Sequence, residues 1–311
     1  MKKMKSLFKL FVIGLFVSVL GACSSDSTSN EETGTILVTT TIAQIADVVE
    51  NIGGEKVTVE SLMGPGIDPH LYRASQGDIR KLNDADIIFY NGLRLEGRMG
   101  EVLGQMSKDK PVIAVAETIP TNLLLEDEEE EGEPDPHIWF DISLWIYAVD
   151  AVTTSLIELD KENASFYENN ASQYKAELEK LHDFAIEQIA TIPKESRVLV
   201  TAHDAFQYFG KAYDIEVMGL QGLSTDSEYG LRDVQELIDV ITSRNIKAVF
   251  VESSISDDSI TAVVEGAKRR GHDVVIGGEL YSDAMGEAGT KEGTYKGMFE
   301  HNIKTIVDSL K

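Results

Sequence analysis

The chain is predicted to be an α/β protein: two lobes of parallel sheet flanked by helices, joined by one long rigid helix. Three observations carry that expectation. Short β-branched runs alternate with helical periodicity in both halves of the chain, the pattern of parallel strands linked by crossover helices. Residues 142–192 between those halves hold no strand pattern. Histidine-bearing loops follow, or lead out of, apolar runs in each half, and open α/β sheets collect ligands beyond the carboxyl ends of their strands.

The first alternating set predicts strands over residues 35–40, 57–62, 86–90 and 111–115, with helices near 42–52, 75–83 and 97–106. Residues 142–159 then read as one helix and 162–192 as a single long one ended by Pro193. Along it Phe166, Tyr167, Tyr174, Leu178, Leu181, Ile186 and Ile189 recur at near-helical spacing. Such a helix is about 45 Å long, more than one sheet layer needs, so its natural role is to join two lobes along their height. These apolar positions do not hold a heptad for long, which argues against a coiled coil. The second set predicts strands over 197–201, 215–219, 247–251 and 273–276, with helices near 205–213, 229–244, 256–270 and 294–310. The organisation expected is a signal peptide (1–22), a flexible lipoprotein tether (23–34), an N-terminal lobe (35–160), the connecting helix (161–193) and a C-terminal lobe (194–311).

The start of the chain is an address. Residues 1–9 carry four lysines and no acid, and residues 10–20 are apolar but for Gly14 and Ser18. Leu20-Gly21-Ala22-Cys23 follows, with small residues at the cut, as in a secretory signal. The apolar stretch is too short for a comfortable membrane span. Cys23 is the only cysteine and resembles the lipid-bearing residue of a lipobox. A lone cysteine forms no intramolecular disulfide, so packing must hold the protein together. No other segment reads as long and apolar enough to span a membrane.

The full chain carries 28 basic and 53 acidic residues. Removing residues 1–22 takes away four lysines and no acid, leaving 24 against 53, a formal charge of −29. That argues against nucleic acid and against electrostatic binding to anionic lipid, and it favours cations without specifying one.

Six histidines occur in all, and three of them stand at telling places. Asp68-Pro69-His70 and Asp135-Pro136-His137 repeat a tripeptide, and His203 lies two residues past a predicted strand. Neutral imidazole is a common ligand for divalent transition metals. Proline before each of the first two histidines fixes φ and stiffens the loop that presents the ring. Asp283, in a small-residue-rich stretch, can complete the set. The four read as a three-histidine, one-carboxylate metal site in the cleft between lobes, two ligands from each. Taken singly, each has a plainer reading: Asp68 and Asp135 as turn openers, Asp283 as a cap, a loop histidine as a hydrogen-bonded residue. His182, His272 and His301 read as structural or surface residues, and the eight acids of residues 125–135 as a solvated loop.

At these residues the chain resembles a family, the metal-binding lipoproteins that deliver manganese or zinc to bacterial ABC importers, some also described as adhesins. The marks are Asp68-Pro69-His70-Leu71-Tyr72, Asp135-Pro136-His137-Ile138-Trp139-Phe140-Asp141, Thr201-Ala202-His203-Asp204-Ala205-Phe206, Gly219-Leu220-Gln221-Gly222 and Gly278-Glu279-Leu280-Tyr281-Ser282-Asp283. The resemblance runs from about Thr35 to the C-terminus. It implies two α/β lobes on a rigid helix, the ligands His70, His137, His203 and Asp283, lipidation of Cys23, a membrane permease as partner, and a monomer lipid-anchored on the outer face of the cell membrane. Some manganese-selective relatives carry glutamate where His203 stands. Many zinc-delivering relatives have a histidine-rich stretch where this chain has no histidine between His70 and His137. A bidentate Asp283 would suit Mn2+ better than tetrahedral Zn2+. Mn2+ is therefore the expected cargo and Zn2+ the alternative, since nitrogen and oxygen donors hold zinc intrinsically more tightly.

Catalysis is not expected. The sequence lacks His-Glu-x-x-His, Gly-x-Ser-x-Gly and a P-loop. A secreted metallohydrolase, or an adhesin with a structural metal, remains the different-class reading.

Overall fold

A computed structural model describes residues 34–126, 132–227 and 229–311. The signal peptide, Cys23 and nearly all of the tether lie outside the described residues, as do five positions of the acidic stretch.

The N-terminal lobe is a four-stranded parallel sheet in the order β2-β1-β3-β4: β1 (Ile36–Thr40), β2 (Val57–Ser61), β3 (Ile87–Tyr90) and β4 (Val112–Ala114). Between them run α1 (Ala43–Gly53), α2 (Gln76–Asp84) and α3 (Gly100–Met106). Helix α2 starts on a capping box, Ser75 taking the Asp78 N–H while Asp78 takes the Ser75 N–H, which satisfies donors the first turn would otherwise leave bare. Each strand is centred within a residue or two of its predicted place.

Helix α4 (Ile142–Leu159) follows, opened by Asp141 accepting from the Ser143 N–H. At 18 residues and mean hydropathy 1.4 it is long and apolar enough to cross a membrane, contrary to the sequence reading. Its place explains the composition: Leu144, Trp145, Ala148, Val149, Val152 and Leu156 are buried in the protein's own core. The connecting helix α5 spans Ala164–Ile189, shorter at both ends than expected. A 3-10 turn over Lys161–Asn163 precedes it, and it stops four residues short of Pro193. Its 26 residues make a rod of about 39 Å. The face it buries is Tyr167, Ala171, Tyr174, Leu178, Leu181, Ala185 and Ile189. With the two alanines counted, the spacing is nearly heptad-like. The partners for that face are α1, α4 and the C-terminal helix of the same chain, so it needs no second copy.

The C-terminal lobe holds two parallel strand pairs, β5 (Val198–His203) with β6 (Glu216–Gln221), and β7 (Ala248–Glu252) with β8 (Val275–Leu280). Helices α6 (Gln207–Tyr213), α7 (Leu231–Ser243), α8 (Asp258–Arg269) and α9 (Tyr295–Leu310) surround them. Strand β8 runs four residues further than predicted, through Gly277 and Gly278. Glycine pairs lower strand propensity, but a Cβ at Gly277 would meet Ser309 at 2.8 Å and Phe250 at 2.9 Å. The helix and strand packed there require the missing side chains.

Along β5 the side chains alternate between two cores. Leu199 joins a large core that runs from the N-terminal lobe through α5 into α6 and α9, while Val198, Val200 and Ala202 join a smaller one under α7 and α8. A strand buried on both faces is what a parallel sheet with helices on each side demands. The large core crosses the lobe boundary. Phe140 stacks on Phe206 with ring centroids 4.3 Å apart, and Trp145 on Tyr295 at 5.6 Å and 17°. Such aromatic pairs contribute about 0.5–1.5 kcal/mol each beyond area burial. Residues 35–311 accordingly form one compact unit.

Candidate metal centre

The four sequence-predicted residues come together at the lobe junction. His203 is the last residue of β5, Asp283 stands three past the end of β8, and His70 and His137 sit in the two Asp-Pro-His loops. His137, His203 and Asp283 are at most 1% exposed and His70 is 5% exposed. One donor atom from each lies within 4.8 Å of all the others.

The rings present the same atom inward. His70 Nε2 is 3.3 Å from His137 Nε2. Asp283 offers both oxygens: Oδ1 lies 3.4 Å from His137 Nε2, and Oδ2 lies 3.3 Å from His203 Nε2 and 3.5 Å from His70 Nε2. Donor separations of that size surround an ion whose bonds are about 2.0–2.2 Å long. Among the described residues, His203 Nε2 and both Asp283 oxygens are buried and have no hydrogen-bond partner. Leaving such atoms bare costs about 1–3 kcal/mol each, and a cation among them removes that cost. The donor set fits a divalent transition metal.

Behind two of the rings stands a buried carboxylate. Asp135 Oδ1 accepts from both the N–H of His137, at 2.9 Å, and its Nδ1, at 2.8 Å. Glu252, the last residue of β7, takes the N–H of His203 on Oε1 at 2.9 Å and lies 2.5 Å from His203 Nδ1 through Oε2. A carboxylate at Nδ1 keeps the proton on that nitrogen and turns the lone pair of Nε2 towards the centre. Among the described residues, His70 has no such partner. Asp68 accepts its N–H at 2.8 Å and the Thr225 hydroxyl at 2.6 Å, but does not hydrogen-bond its ring.

The electrostatics follow from those partners. Burial pushes His70 down to about 3, against the pull of Asp283. Burial also opposes a charged His137, but the charge and hydrogen bond of Asp135, with help from Asp283, outweigh it and raise the imidazole to about 9. His203 is likewise held well above its ordinary value, burial being overcome by Glu252 and then Asp283. Burial would raise Asp283, yet His203 and His137 hold its carboxyl well below the usual carboxylate range. Without a cation the centre is thus a closed ion-pair cluster, and a metal must displace protons to bind.

The other histidines are occupied elsewhere. His182 Nδ1 meets Tyr213 Oη, His272 Nε2 the Ile246 carbonyl, and His301 Nε2 the Glu279 carbonyl. Sequence reasoning took Asp135 only as a turn former and missed Glu252. The signal for Glu252 was an acid closing the apolar run Ala248-Val249-Phe250-Val251 at a strand's carboxyl end.

Comparison with known proteins points the same way. The profile of the family described as ZnuA, zinc-uptake complex component A periplasmic, matches residues 38–309. The manganese-binding lipoprotein MntA of Bacillus subtilis is 56% identical over 96% of this chain and 99% of its own. The zinc-binding protein TroA of Treponema pallidum is 50% identical over 89% of each chain, and its structure superposes with a TM-score of 0.87, covering 89% of this chain and 99% of that one. The metal ABC transporter substrate-binding lipoprotein SloC of Streptococcus mutans is 34% identical over 99% of both. Matched from β1 to the final helix by sequence and by fold, the chain belongs to the zinc-uptake complex component A family of metal-binding proteins.

Proposed function

We propose that this protein is an extracytoplasmic, lipid-anchored solute-binding protein that captures a divalent transition metal, Mn2+ in first place, and hands it to the membrane permease of an ABC importer. The observation that carries this is the convergence of three Nε2 atoms and two carboxylate oxygens in a buried junction between lobes. His70, His137, His203 and Asp283 are the ligands, and the metal is cargo. Five donors in one cluster favour Mn2+, which accepts higher coordination numbers than tetrahedral Zn2+, and the 56% identity to a manganese-binding lipoprotein agrees. Zn2+ is the second reading, favoured by three imidazoles and by a zinc-binding relative at 50% identity.

The role is binding, with no catalysis. A hydrolytic metal site needs a general base beside an open water position. The carboxylates that stand behind two of the rings are already engaged: Asp135 accepts from His137 Nδ1 and N–H, and Glu252 accepts the His203 N–H and lies 2.5 Å from its Nδ1. The signal peptide of residues 1–22, lipidated Cys23 and the tether to residue 34 would hold the protein at the outer face of the cell membrane beside its permease. Two acyl chains are required, because one holds only weakly.

Two measurements test the reading. Metal analysis of the full chain purified from cells should find one equivalent of Mn2+ or Zn2+ per protein, lost on replacing His137 and His203 together by Ala. Cys23→Ser should block lipid labelling and move the protein to the aqueous phase of a detergent partition. Undiminished metal in the double variant would sink the assignment.

A further inference from the structure

The loop carrying Asp283 is held through three consecutive backbone carbonyls, each by a side chain from a different element. Ser282 O accepts from Trp139 Nε1 at 3.1 Å, Asp283 O from Gln44 Nε2 at 3.0 Å, and Ala284 O from Ser253 Oγ at 3.2 Å. Trp139 and Gln44 belong to the N-terminal lobe and reach across the junction. Gln44 lies in the first turn of α1, is fully buried, and has no partner for its Oε1 among the described residues. A buried amide with a bare acceptor is costly, so what the residue contributes is its donor, aimed at the backbone of a proposed ligand. Asp283 is also the one ligand that offers two atoms. Keeping Oδ1 towards His137 and Oδ2 towards His203 and His70 requires its backbone to stay in place. A small displacement would withdraw one oxygen and leave the other.

We infer that Gln44 is a positioning residue that holds Asp283 with both carboxylate oxygens facing the cation, and so sets the preference of the centre for a five-donor ion such as Mn2+ over a four-donor ion such as Zn2+. The inference rests on the four-ligand centre proposed above. Ions that take more donors lose more when one oxygen is withdrawn, whereas three imidazoles and a single oxygen still complete a tetrahedron. The selectivity is imposed from the opposite lobe, so Asp283 is bidentate only while the lobes are docked.

The test uses the full chain in detergent carrying Gln44→Met, which keeps length, helix preference and approximate volume while deleting the donor. Equilibrium dialysis should show Mn2+ affinity lowered about tenfold, the lower end for loss of a group that orients a ligand, and Zn2+ affinity changed by less than about threefold. With Co2+ as probe, the visible absorption should intensify, as it does when coordination number falls. Gln44→Glu, which turns an oxygen towards the Asp283 carbonyl, should give the same selective loss, and melting of the metal-free variants reads folding separately. Equal losses for both metals with an unchanged Co2+ spectrum, or no loss for either, would overturn the inference. Failure of the underlying centre looks different: Mn2+ and Zn2+ binding would then survive replacement of His137 and His203 in the parent chain.

Discussion

The two Asp-Pro-His loops start from the same tripeptide and end with different chemistry. In both, the aspartate accepts the N–H of the histidine two residues on, at 2.8 Å for His70 and 2.9 Å for His137, a local turn that any such sequence can form. There the likeness stops. Asp135 also takes the imidazole Nδ1 of its own histidine, so it orients the ring and holds a proton on it. Asp68 spends its second oxygen on Thr225 of the other lobe, and among the described residues no carboxylate backs the His70 ring. His137 is accordingly raised to about 9 and His70 lowered to about 3. The short motif fixes the backbone, and what the carboxylate does next depends on what the fold places beside it.

The largest effects expected are those of the four proposed ligands. Replacing His70, His137, His203 or Asp283 by Ala should weaken Mn2+ and Zn2+ binding beyond the 10- to 100-fold typical of an outer partner. His182→Ala, His272→Ala and His301→Ala should leave it unchanged in equilibrium dialysis. If His70→Ala alone were harmless, the first loop would be a tether and the comparison would need redrawing.

Metal removal comes next. Free metal at 100 times its dissociation constant should stabilise the fold by about 2.7 kcal/mol, a rise in melting temperature of about 5–10 °C. Protons compete for His137 and His203, whose imidazoles are raised. The metal-induced rise should therefore shrink from pH 7.5 to 5.5 and keep growing from pH 7.5 towards 9. Paired thermal melts across that range read it out, and a rise that stops growing at pH 7 would show that ordinary histidines do the binding.

Deleting the two carboxylates contrasts the loops directly. Asp135→Ala should lower metal affinity about 10- to 100-fold and flatten the pH dependence above 7, because His137 loses the charge that raises it. Asp68→Ala should cost distinctly less, since it leaves every ring contact in place. Calorimetric titration of both variants decides the matter, and equal losses would mean the difference between the loops has no energetic weight.

The smallest effect concerns Asp47, buried on α1 with neutral donors only, Tyr174 Oη at 2.7 Å and Asn51 Nδ2 at 3.1 Å. Burial raises it to about 6. The folded state therefore binds more protons than the unfolded one between pH 3.8 and about 6, and stability falls as pH rises through that window and stays lower above it. Asp47→Asn keeps an acceptor for Tyr174 and removes the charge. It should gain about 1–2 kcal/mol at pH 7.5, with the gain fading near pH 4, as denaturant titrations at the two pH values will show. Loss of stability at both would mean that Tyr174 needs the charged acceptor.

Much of this architecture was legible in the sequence. Strand and helix alternation gave each element to within a few residues, because apolar periodicity is set locally by which face must leave water. The four metal-centre residues were legible because histidine is scarce here and two of them sit in a repeated tripeptide. Boundaries failed where tertiary contacts set them: β8 continues through Gly277-Gly278 because Phe250 and Ser309 occupy the space, and helix α5 ends before Pro193.

The sequence by itself determined the alternation of strand and helix, the long helix, the residue types of the proposed metal centre and the stiff loops that present them, all consequences of local propensity and periodicity. Only the tertiary structure decided which nitrogen of each ring faces inward, that Glu252 backs His203 from 49 residues away, and that Gln44 reaches 239 residues along the chain to hold Asp283. Those are contacts between residues distant in sequence, and nothing in local order encodes them. They exist because one core, sealed by Phe140 against Phe206 and Trp145 against Tyr295, presses two lobes together and, among the described residues, leaves His203 Nε2 and both Asp283 oxygens buried without a hydrogen bond.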